Sequence, residues 1–177
     1  MSNQWVVDGS HSTAGFSVKH LMITNVRGEF HKVEGKVTWD PSKPEATTID
    51  ATVDVTSLNT HDEKRDGHLK SPDFFDVEKF PTLTFKSKSV KAKGSDELSV
   101  TGDLTIHGVT KEVVLEVEGP SAPTADPWGN TRIGATATAK IKREDFGLTW
   151  NAALEAGGVL VGSDVKITID VSLIQQK

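Results

Sequence analysis

Apolar and polar residues alternate along most of this chain. Every second position is apolar in the stretches 14–20, 49–56, 98–106, 113–118, 132–141 and 165–173. This period of two is typical of β-strands that have one face against an apolar interior and the other in water. Two more strands are predicted at about 28–39 and 82–90. Roughly eight strands with turn signals between them predict an all-β fold, either an antiparallel barrel or a sandwich.

Turn residues separate these stretches. His107 and Gly108 lie between two alternating stretches and predict a tight hairpin, and Gly94, Ser95 and Asp96 predict another. Residues 119–130 hold three of the seven prolines and predict the longest irregular loop.

A charged segment at residues 57–87 interrupts the alternation. It is too rich in Pro, Gly and Asp for one continuous strand, yet it carries large apolar side chains: Leu69, Phe74, Phe75 and Phe80. We expect a short helical lid over about residues 60–79. Apolar groups on a helical excursion between strands are suited to covering the mouth of a barrel, which is useful when an apolar ligand lies inside.

Local signals give the lid its predicted details. Thr60 and Glu63 have the spacing of a capping box, which predicts a helix start at Thr60. Gly67 is expected to end or loosen that helix. Ser71 as a cap, followed by Pro72, predicts a second short helical turn.

Small side chains on one strand bear on whether the interior is hollow. One face of stretch 132–141 carries Ala135, Ala137 and Ala139. An eight-stranded barrel is just wide enough to be filled by side chains or to hold one slender ligand, so these alanines favour a cavity. Alanines also pack against large neighbours, and a filled core stays an alternative. The same alternatives, core or ligand tunnel, hold for Phe146, Leu148 and Trp150.

Composition narrows the class of protein. A chain of 177 residues suits one domain, 1–177, and the absence of Cys excludes disulfides and thiolate chemistry. The net charge of −5 argues against a nucleic-acid partner, and no apolar run is long enough for a membrane span. The first residues lack the basic and apolar regions of a secretory signal, so we expect a cytoplasmic protein.

Candidate catalytic and metal-binding chemistry is sparse. The six histidines have no metal-ligand spacing, although a site from His61, His68 and an aspartate is an alternative. There is no G-x-S-x-G elbow for a nucleophilic serine and no glycine loop for phosphate. Arg65, His68 and Lys70 form either a solvated helix face or the rim of a cavity that meets a polar head group.

Motifs along nearly the whole chain resemble the YceI-like family of polyisoprenoid-binding proteins. They are 8–12 (DGSHS), 16–21 (FSVKHL), 28–30 (GEF), 57–60 (SLNT), 65–76 (RDGHLKSPDFFD), 80–85 (FPTLTF), 102–110 (GDLTIHGVT) and 143–148 (REDFGL). The resemblance implies an eight-stranded antiparallel lipocalin-like barrel with a helical lid over an elongated apolar cavity. It also implies binding of a long isoprenoid without catalysis, a homodimer, and for many members a periplasmic location.

We therefore expect non-enzymatic binding, storage or transport of a polyprenyl phosphate or isoprenoid quinone, with no cofactor and no metal. The expected cavity wall is Phe16, Val18, His20, Phe30, Val53, Val55, Leu69, Phe74, Phe75, Phe80, Leu83, Phe85, Ala135, Ala137, Phe146, Leu148 and Trp150. The expected head-group rim is Arg65, His68 and Lys70. The alternatives are a lipid-modifying enzyme, for which His20 is the plausible acid or base, and a stress-related protein with an incidental cavity.

Overall fold

The protein is built almost entirely of β-strands, with one short helix. The computed structural model describes residues 3–154 and 158–177. Its strands are β1 Gln4–Val7, β2 Thr13–His20, β3 Thr24–Phe30, β4 Val33–Thr38, β5 Thr48–Asp54, β6 Leu58–Asn59, β7 Thr82–Ala92, β8 Glu97–Ile106, β9 Val109–Glu118, β10 Thr124–Ala125, β11 Thr131–Lys142 and β12 Val161–Gln175. The helix, α1, is Glu63–Lys70.

The strands close into an antiparallel barrel. The order around the sheet is β11-β9-β8-β7-β5-β4-β1-β12, and β12 pairs with β11 to complete the ring. The predicted eight-stranded antiparallel barrel is therefore confirmed, and the sandwich alternative is wrong. Closure leaves no free edge along the ring, so the inner faces of all its strands surround one interior.

Breaks in three strands explain why there are more segments than barrel strands. β1 and β2 both pair with β12, at different points along its length. In the same way β3 and β4 follow one another, separated only by His31 and Lys32, and a short 3-10 turn separates β5 from β6. The sequence prediction missed β1 and placed the start of β3 at about residue 28, whereas β3 begins at Thr24.

The predicted turns at two hairpins are confirmed. His107 and Gly108 join β8 to β9 with positive φ angles of 55° and 72°. This pair of left-handed residues is the two-residue turn whose twist matches antiparallel strands. Gly94 lies in the turn between β7 and β8, also with a positive φ, 81°.

The lid helix differs in detail from its prediction. Asp62, not Thr60, caps α1, because its side chain accepts a hydrogen bond from the backbone N–H of Arg65. Gly67 lies inside the helix, which continues to Lys70, so the expectation that Gly67 ends it is wrong. Ser71 ends α1 and starts the predicted second short turn, in which the Phe74 N–H donates to the Ser71 backbone oxygen at 3.0 Å and the Asp73 N–H donates to Ser71 Oγ at 3.3 Å.

Two glycines give a matched test of packing. A Cβ at Gly102 on β8 would lie 2.5 Å from Phe85 Cζ and 2.6 Å from the backbone oxygen of Lys86. Gly102→Ala is therefore expected to lower the free energy of unfolding by about 1–3 kcal/mol. Gly67 has no atom within 4 Å of such a Cβ, so Gly67→Ala should stabilise α1 by about 0.5–1 kcal/mol. Denaturant titration of both variants checks the pair, and equal effects would contradict the packing described for β8.

A cluster of charged side chains stabilises the end of the barrel opposite α1. Arg132 Nη1 donates to Asp8 Oδ2 and Arg132 Nε donates to Asp126 Oδ2, each at 2.6 Å. The Asp8 carboxylate also accepts hydrogen bonds from Ser10 and lies 2.9 Å from His11 Nδ1. These contacts join the start of the chain, the loop after β9 and strand β11. They are consistent with the turn at residues 8–12 being held by side-chain hydrogen bonds.

The same contacts shift carboxyl pKa values. The hydrogen bond from Arg132 is the main cause that lowers the pKa of Asp8 well below its usual range. At Asp126, burial acts to raise the pKa, but hydrogen bonds from Arg132, Asn130 and Trp128 outweigh it, and the net shift is also strongly downward. Both carboxylates therefore stay ionised in the folded protein at pH values where they would be protonated in an unfolded chain.

The charge cluster predicts how stability changes with pH. A carboxyl group whose pKa is depressed by folding stabilises the protein above its unfolded pKa, about 4, and loses that contribution as the pH falls below it. Arg132→Met should therefore lower the free energy of unfolding at neutral pH, and its difference from wild type should shrink below about pH 4. Lys140→Met is the control, because Lys140 makes an exposed pair with Asp164 at 3.2 Å and should change little at any pH. A difference for Arg132→Met that is constant from neutral to acid pH would refute the linkage.

Candidate ligand-binding site

An apolar cavity of about 400 Å³ occupies the interior of the barrel. Its wall comes from inward-facing side chains of the strands and from residues of α1 and the segment after it. Large aliphatic side chains of β12 contribute much of one side: Val161, Val165, Ile167, Ile169, Val171 and Leu173. The alternation of β12 was recognised from the sequence, but these residues were not placed in the site.

Most of the wall residues expected from the sequence do line this cavity. They are Phe16, Val18, His20, Phe30, Val53, Leu69, Phe74, Phe75, Leu83, Phe85, Ala135, Ala137, Leu148 and Trp150. The strand residues among them sit at alternate positions because a period of two keeps one face of each strand inside. Their contact with a ligand stays a prediction.

Three expected wall residues are placed elsewhere. Val55 is fully buried against Phe30 and Leu58, and Phe146 is 1% exposed in a cluster with Ile106 and Ile141. Both lie in short 3-10 turns, where the period of two no longer decides which way a side chain points. The Phe80 ring instead packs 4.9 Å from the ring of His107, at the β8–β9 turn.

The alanine stripe on β11 has two different surroundings. Ala135 and Ala137 line the cavity, whereas Ala139 is not part of its wall. Ala137 and Ala139 both pack against the apolar cluster around Val100 and Leu115. Ala135 thus faces the cavity, Ala139 is packed by neighbours, and Ala137 lies at the boundary between the two. Both alternatives derived from the sequence apply, and they meet at Ala137.

The segment after α1 covers one part of the interior with aromatic rings. The Phe75 ring lies 5.7 Å from the ring of Phe30 and 6.5 Å from that of Phe16, both at edge-to-face angles. Phe16 and Phe30 are themselves 5.8 Å apart. These separations are typical of favourable aromatic pairs, so Phe75 holds the lid segment against β2 and β3.

A second aromatic group joins α1 to the loop after β11. The His68 ring lies 4.7 Å from the Trp150 ring and 5.0 Å from the Phe74 ring. His68 Nε2 is also 2.9 Å from Asp73 Oδ2. The lid is therefore fixed by ring packing at its outer end, beside a polar contact that is exposed to solvent.

Arg65 links the helix to the strand segment before it. Arg65 Nε donates to Thr60 Oγ1 at 2.9 Å, and Arg65 Nη2 donates to the Thr60 backbone oxygen at 2.6 Å. The Thr60 N–H donates to Asp66 Oδ1 at 2.9 Å, and the Thr60 hydroxyl bonds the same oxygen. Of the expected rim, Arg65 and His68 line the cavity, whereas Lys70 is not part of its wall. The contact of these three side chains with a head group stays a prediction.

The most buried charge of the site, Arg143, is not among the site residues expected from the sequence. Arg143 is 3% exposed and lines the cavity. Its guanidinium donates to the backbone oxygens of Gly162 at 2.8 Å, Leu148 at 2.6 Å and Trp150 at 2.9 Å. Burial lowers the pKa of Arg143 below its usual value. The signal for it in the sequence is its place in the motif 143–148 (REDFGL), directly after the alternating stretch 132–141.

Arg143 organises the wall near the lid. Its Nη2 also approaches the Val161 backbone oxygen, at 3.3 Å. Because the same side chain holds residues 148–150 and 161–162, it fixes both the Trp150 ring under α1 and the start of β12. The nearest carboxylate, that of Glu144, is 3.9 Å away, so the guanidinium is satisfied mainly by neutral carbonyl groups.

The polar groups in the wall are mostly basic. Arg65 and Arg143 line the cavity together with two histidines, Lys19 borders it with an exposed side chain, and Asp50 is the one carboxylate in the wall formed by the described residues. The formal charge of the wall is therefore positive, in a protein whose net charge is −5. An anionic or electron-rich group would be favoured near these cations, and a ligand cation would not.

The geometry offers little for acid–base or metal chemistry. His20 lines the cavity, but its ring has no hydrogen-bond partner among the described residues. A catalytic base usually needs a neighbouring group that orients it. No group of three His, Asp or Glu side chains placed to hold a metal occurs in residues 3–154 and 158–177, and no helix there is long and apolar enough to cross a membrane. The expectation that the protein uses no metal stays a prediction.

Solved structures share this architecture. The Burkholderia cenocepacia protein BcnA superimposes with a TM-score of 0.80 at 25% identity, over 94% of this chain and 98% of BcnA. A Campylobacter jejuni YCEI protein gives 0.74 at 33% identity over 90% of each chain. A polyisoprenoid binding domain from Saccharophagus degradans gives 0.71 over 97% of this chain and 98% of the domain, but at 18% identity this likeness shows the fold alone.

Sequence comparisons agree with the fold. A UPF0312 protein of Staphylococcus aureus is 41% identical over 159 residues, which cover 90% of each chain. A UPF0312 protein of Vibrio cholerae is 40% identical over 146 residues, covering 81% of this chain and 77% of the relative. The YceI-like domain model matches residues 5–173. This chain therefore belongs to the YceI-like family.

Proposed function

We propose that this protein binds, stores or transports a long-chain isoprenoid lipid in the barrel cavity without changing it chemically. The observation that carries the proposal is the apolar cavity of about 400 Å³ inside the barrel. The fold is shared with the polyisoprenoid binding domain from Saccharophagus degradans, which supports the same class of ligand for this chain. A polyprenyl phosphate and an isoprenoid quinone are the candidate ligands.

The proposed affinity comes from the hydrophobic effect. Each methylene group moved from water into an apolar wall contributes about 0.8 kcal/mol, so a few isoprene units are enough for tight binding. Valine, isoleucine and phenylalanine side chains impose no directional contacts on such a chain. We therefore expect selectivity for length and width, and weak selectivity among hydrocarbon chains of similar size.

The head group is proposed to lie near Arg65 and His68. Both side chains line the cavity, and His68 is also partly exposed, so a polar group there would keep contact with water. A head group near the surface avoids the desolvation cost of burial. The excess of cations over the single Asp50 carboxylate in the described wall favours the phosphate over the quinone.

Direct titration tests the ligand class. The probes are a polyprenyl phosphate, the polyprenol of the same length, an isoprenoid quinone and a straight-chain alcohol, followed by the fluorescence of Trp150 and the other tryptophans. We expect all three isoprenoids to bind, with the phosphate about tenfold tighter than the polyprenol because a charge-assisted contact is worth about 1.5–3 kcal/mol. Saturation by none of the probes would overturn the proposal.

The absence of turnover is tested in the same samples. Each lipid is incubated with wild type and with His20→Gln, then extracted and analysed by mass spectrometry. We expect every lipid to be recovered unchanged from both proteins. A product that forms with wild type and not with His20→Gln would assign an enzyme activity to the cavity.

A further inference from the structure

The tip of the β2–β3 hairpin exposes an unusual set of apolar side chains. Leu21 is 38% exposed, Met22 53% and Ile23 75%, and Val159 on the neighbouring segment is 37% exposed. The Leu21 N–H donates to the Leu160 backbone oxygen at 2.8 Å, which holds the tip against that segment. Leu21, Met22, Ile23 and Val159 form one surface, here named the hairpin patch.

The backbone of this tip is strained by the residues it carries. Leu21 and Met22 have positive φ angles of 54° and 62°. Such left-handed positions favour Gly, Asn or Asp, and bulky residues adopt them at a cost. Large apolar side chains thus occupy positions where both the positive φ angle and the exposure to water are unfavourable. This combination points to a role in binding and not in folding.

The hairpin patch adjoins residues of the cavity wall. His20, immediately before the patch, lines the cavity and pairs in register with Val161 on β12. Leu160, which accepts the hydrogen bond from Leu21, also lines it. A surface that covered the patch would therefore lie beside the cavity wall formed by His20 and Leu160.

Positive charge flanks the patch. Lys19 and Arg27 are exposed on β2 and β3, next to the tip. Neither has a carboxylate within 4.0 Å among the described residues. In a chain with a net charge of −5, these two cations beside a protruding apolar tip complement an anionic surface.

We propose that the hairpin patch inserts into the surface of a lipid bilayer that carries anionic head groups. Met22 and Ile23 enter the region between head groups and acyl chains, and Lys19 and Arg27 meet the phosphates. Four side chains are too few for a stable contact with a second copy, which needs about 800 Å² on each partner. The proposed attachment to a bilayer is argued from the hairpin patch and its flanking cations alone. Passage of lipid between the bilayer and the cavity would also require the proposed function.

Vesicle sedimentation tests the attachment. Wild type should sediment with phosphatidylcholine vesicles that contain phosphatidylglycerol, and much less with phosphatidylcholine alone. The double variant Met22→Ser, Ile23→Ser should lose about tenfold or more of this binding, because apolar insertion and charge act together. Lys19→Gln with Arg27→Gln should lose binding only to the anionic vesicles, and added salt should reproduce that loss in wild type.

A second variant separates binding from folding. Leu21→Asn with Met22→Gly places favoured residues at both left-handed positions, so its melting temperature should be equal to or above that of wild type. It should nevertheless bind anionic vesicles less well than wild type, because the apolar side chains are gone. A variant that is at least as stable and still binds fully would overturn the proposal.

A fluorescent label reports which end of the barrel meets the bilayer. The chain has no Cys, so Ile23→Cys gives one attachment point for an environment-sensitive dye. Trp128→Cys is the matched control, since Trp128 is 76% exposed in the loop between β9 and β11, at the other end of the barrel. Anionic vesicles should shift the emission of the label at position 23 to the blue and leave that at position 128 unchanged.

The outcomes distinguish this proposal from the proposed function. Ala137→Phe fills the cavity and should bind vesicles like wild type even where lipid binding is lost. Equal sedimentation of wild type and the patch variants, or an equal shift of both labels, would overturn the attachment. A change in particle mass on Met22→Ser, Ile23→Ser in solution would assign the patch to a contact between two copies instead.

Discussion

Ala137→Phe is expected to abolish lipid binding while leaving the fold intact. Ala137 lies on β11 with its side chain towards the cavity, where a benzyl group would occupy volume now open to a ligand. In a filled core the larger side chain would cost about 1–3 kcal/mol, but in an open cavity it should cost less than about 1 kcal/mol. We expect isoprenoid affinity to fall by at least about tenfold, measured by titration, with a melting temperature close to that of wild type.

The matched control lies one position further along the same strand. Thr138 is on the opposite face of β11, so Thr138→Phe adds the same bulk outside the cavity. It should bind isoprenoids like wild type. Two results would contradict the account: full binding by Ala137→Phe, or unfolding of Ala137→Phe by the amount expected for an overpacked core.

Arg143→Met is expected to be among the most destabilising single changes in the chain. Methionine approximates the aliphatic stem of arginine but leaves the backbone oxygens of Leu148, Trp150 and Gly162 without their donors. Hydrogen bonds to a charged group contribute about 1.5–3 kcal/mol each, so we expect a loss of at least about 3 kcal/mol in the free energy of unfolding. Denaturant titration measures it directly.

The effect of Arg143→Met should extend to the lid. Trp150 is held under α1 partly through its backbone oxygen, so the packing of His68 and Phe74 on its ring should loosen. Hydrogen exchange in α1 should rise even where the barrel stays folded. Arg27→Met is the control, because the exposed Arg27 should change stability by no more than about 0.5 kcal/mol. Similar values for the two variants would show that Arg143 has no organising role.

The barrel was predictable because its signal is local and repeated. Alternation at stretches such as 98–106 and 165–173 defines which face of each strand is inside, and short turns such as His107-Gly108 set antiparallel neighbours. Positions that alternation places on the inner face of a regular strand therefore coincide with residues that line the cavity. Val55 and Phe146 lie in 3-10 turns, where the period of two ends, and their side chains are buried outside the cavity wall.

Features that depend on distant backbone atoms were not predictable in the same way. The role of Arg143 depends on backbone carbonyl groups up to 19 residues away in the chain, and their positions follow only from the closed barrel. The helix cap was ambiguous because both Thr60 and Asp62 are good capping residues, and Thr60 is instead engaged by Asp66 and Arg65. The strain at Leu21 and Met22 is likewise visible only in the backbone angles.

Organic extraction of the native protein tests the central claim most directly. The untagged protein is purified from its own host without detergent, and its lipids are quantified by mass spectrometry beside those of Ala137→Phe purified in the same way. We predict about one equivalent of a lipid with a long isoprenoid chain in wild type and little or none in Ala137→Phe, because the interior of an eight-stranded barrel accommodates one slender chain. Wild-type protein that is free of lipid, or equal amounts of isoprenoid in both proteins, would contradict the account.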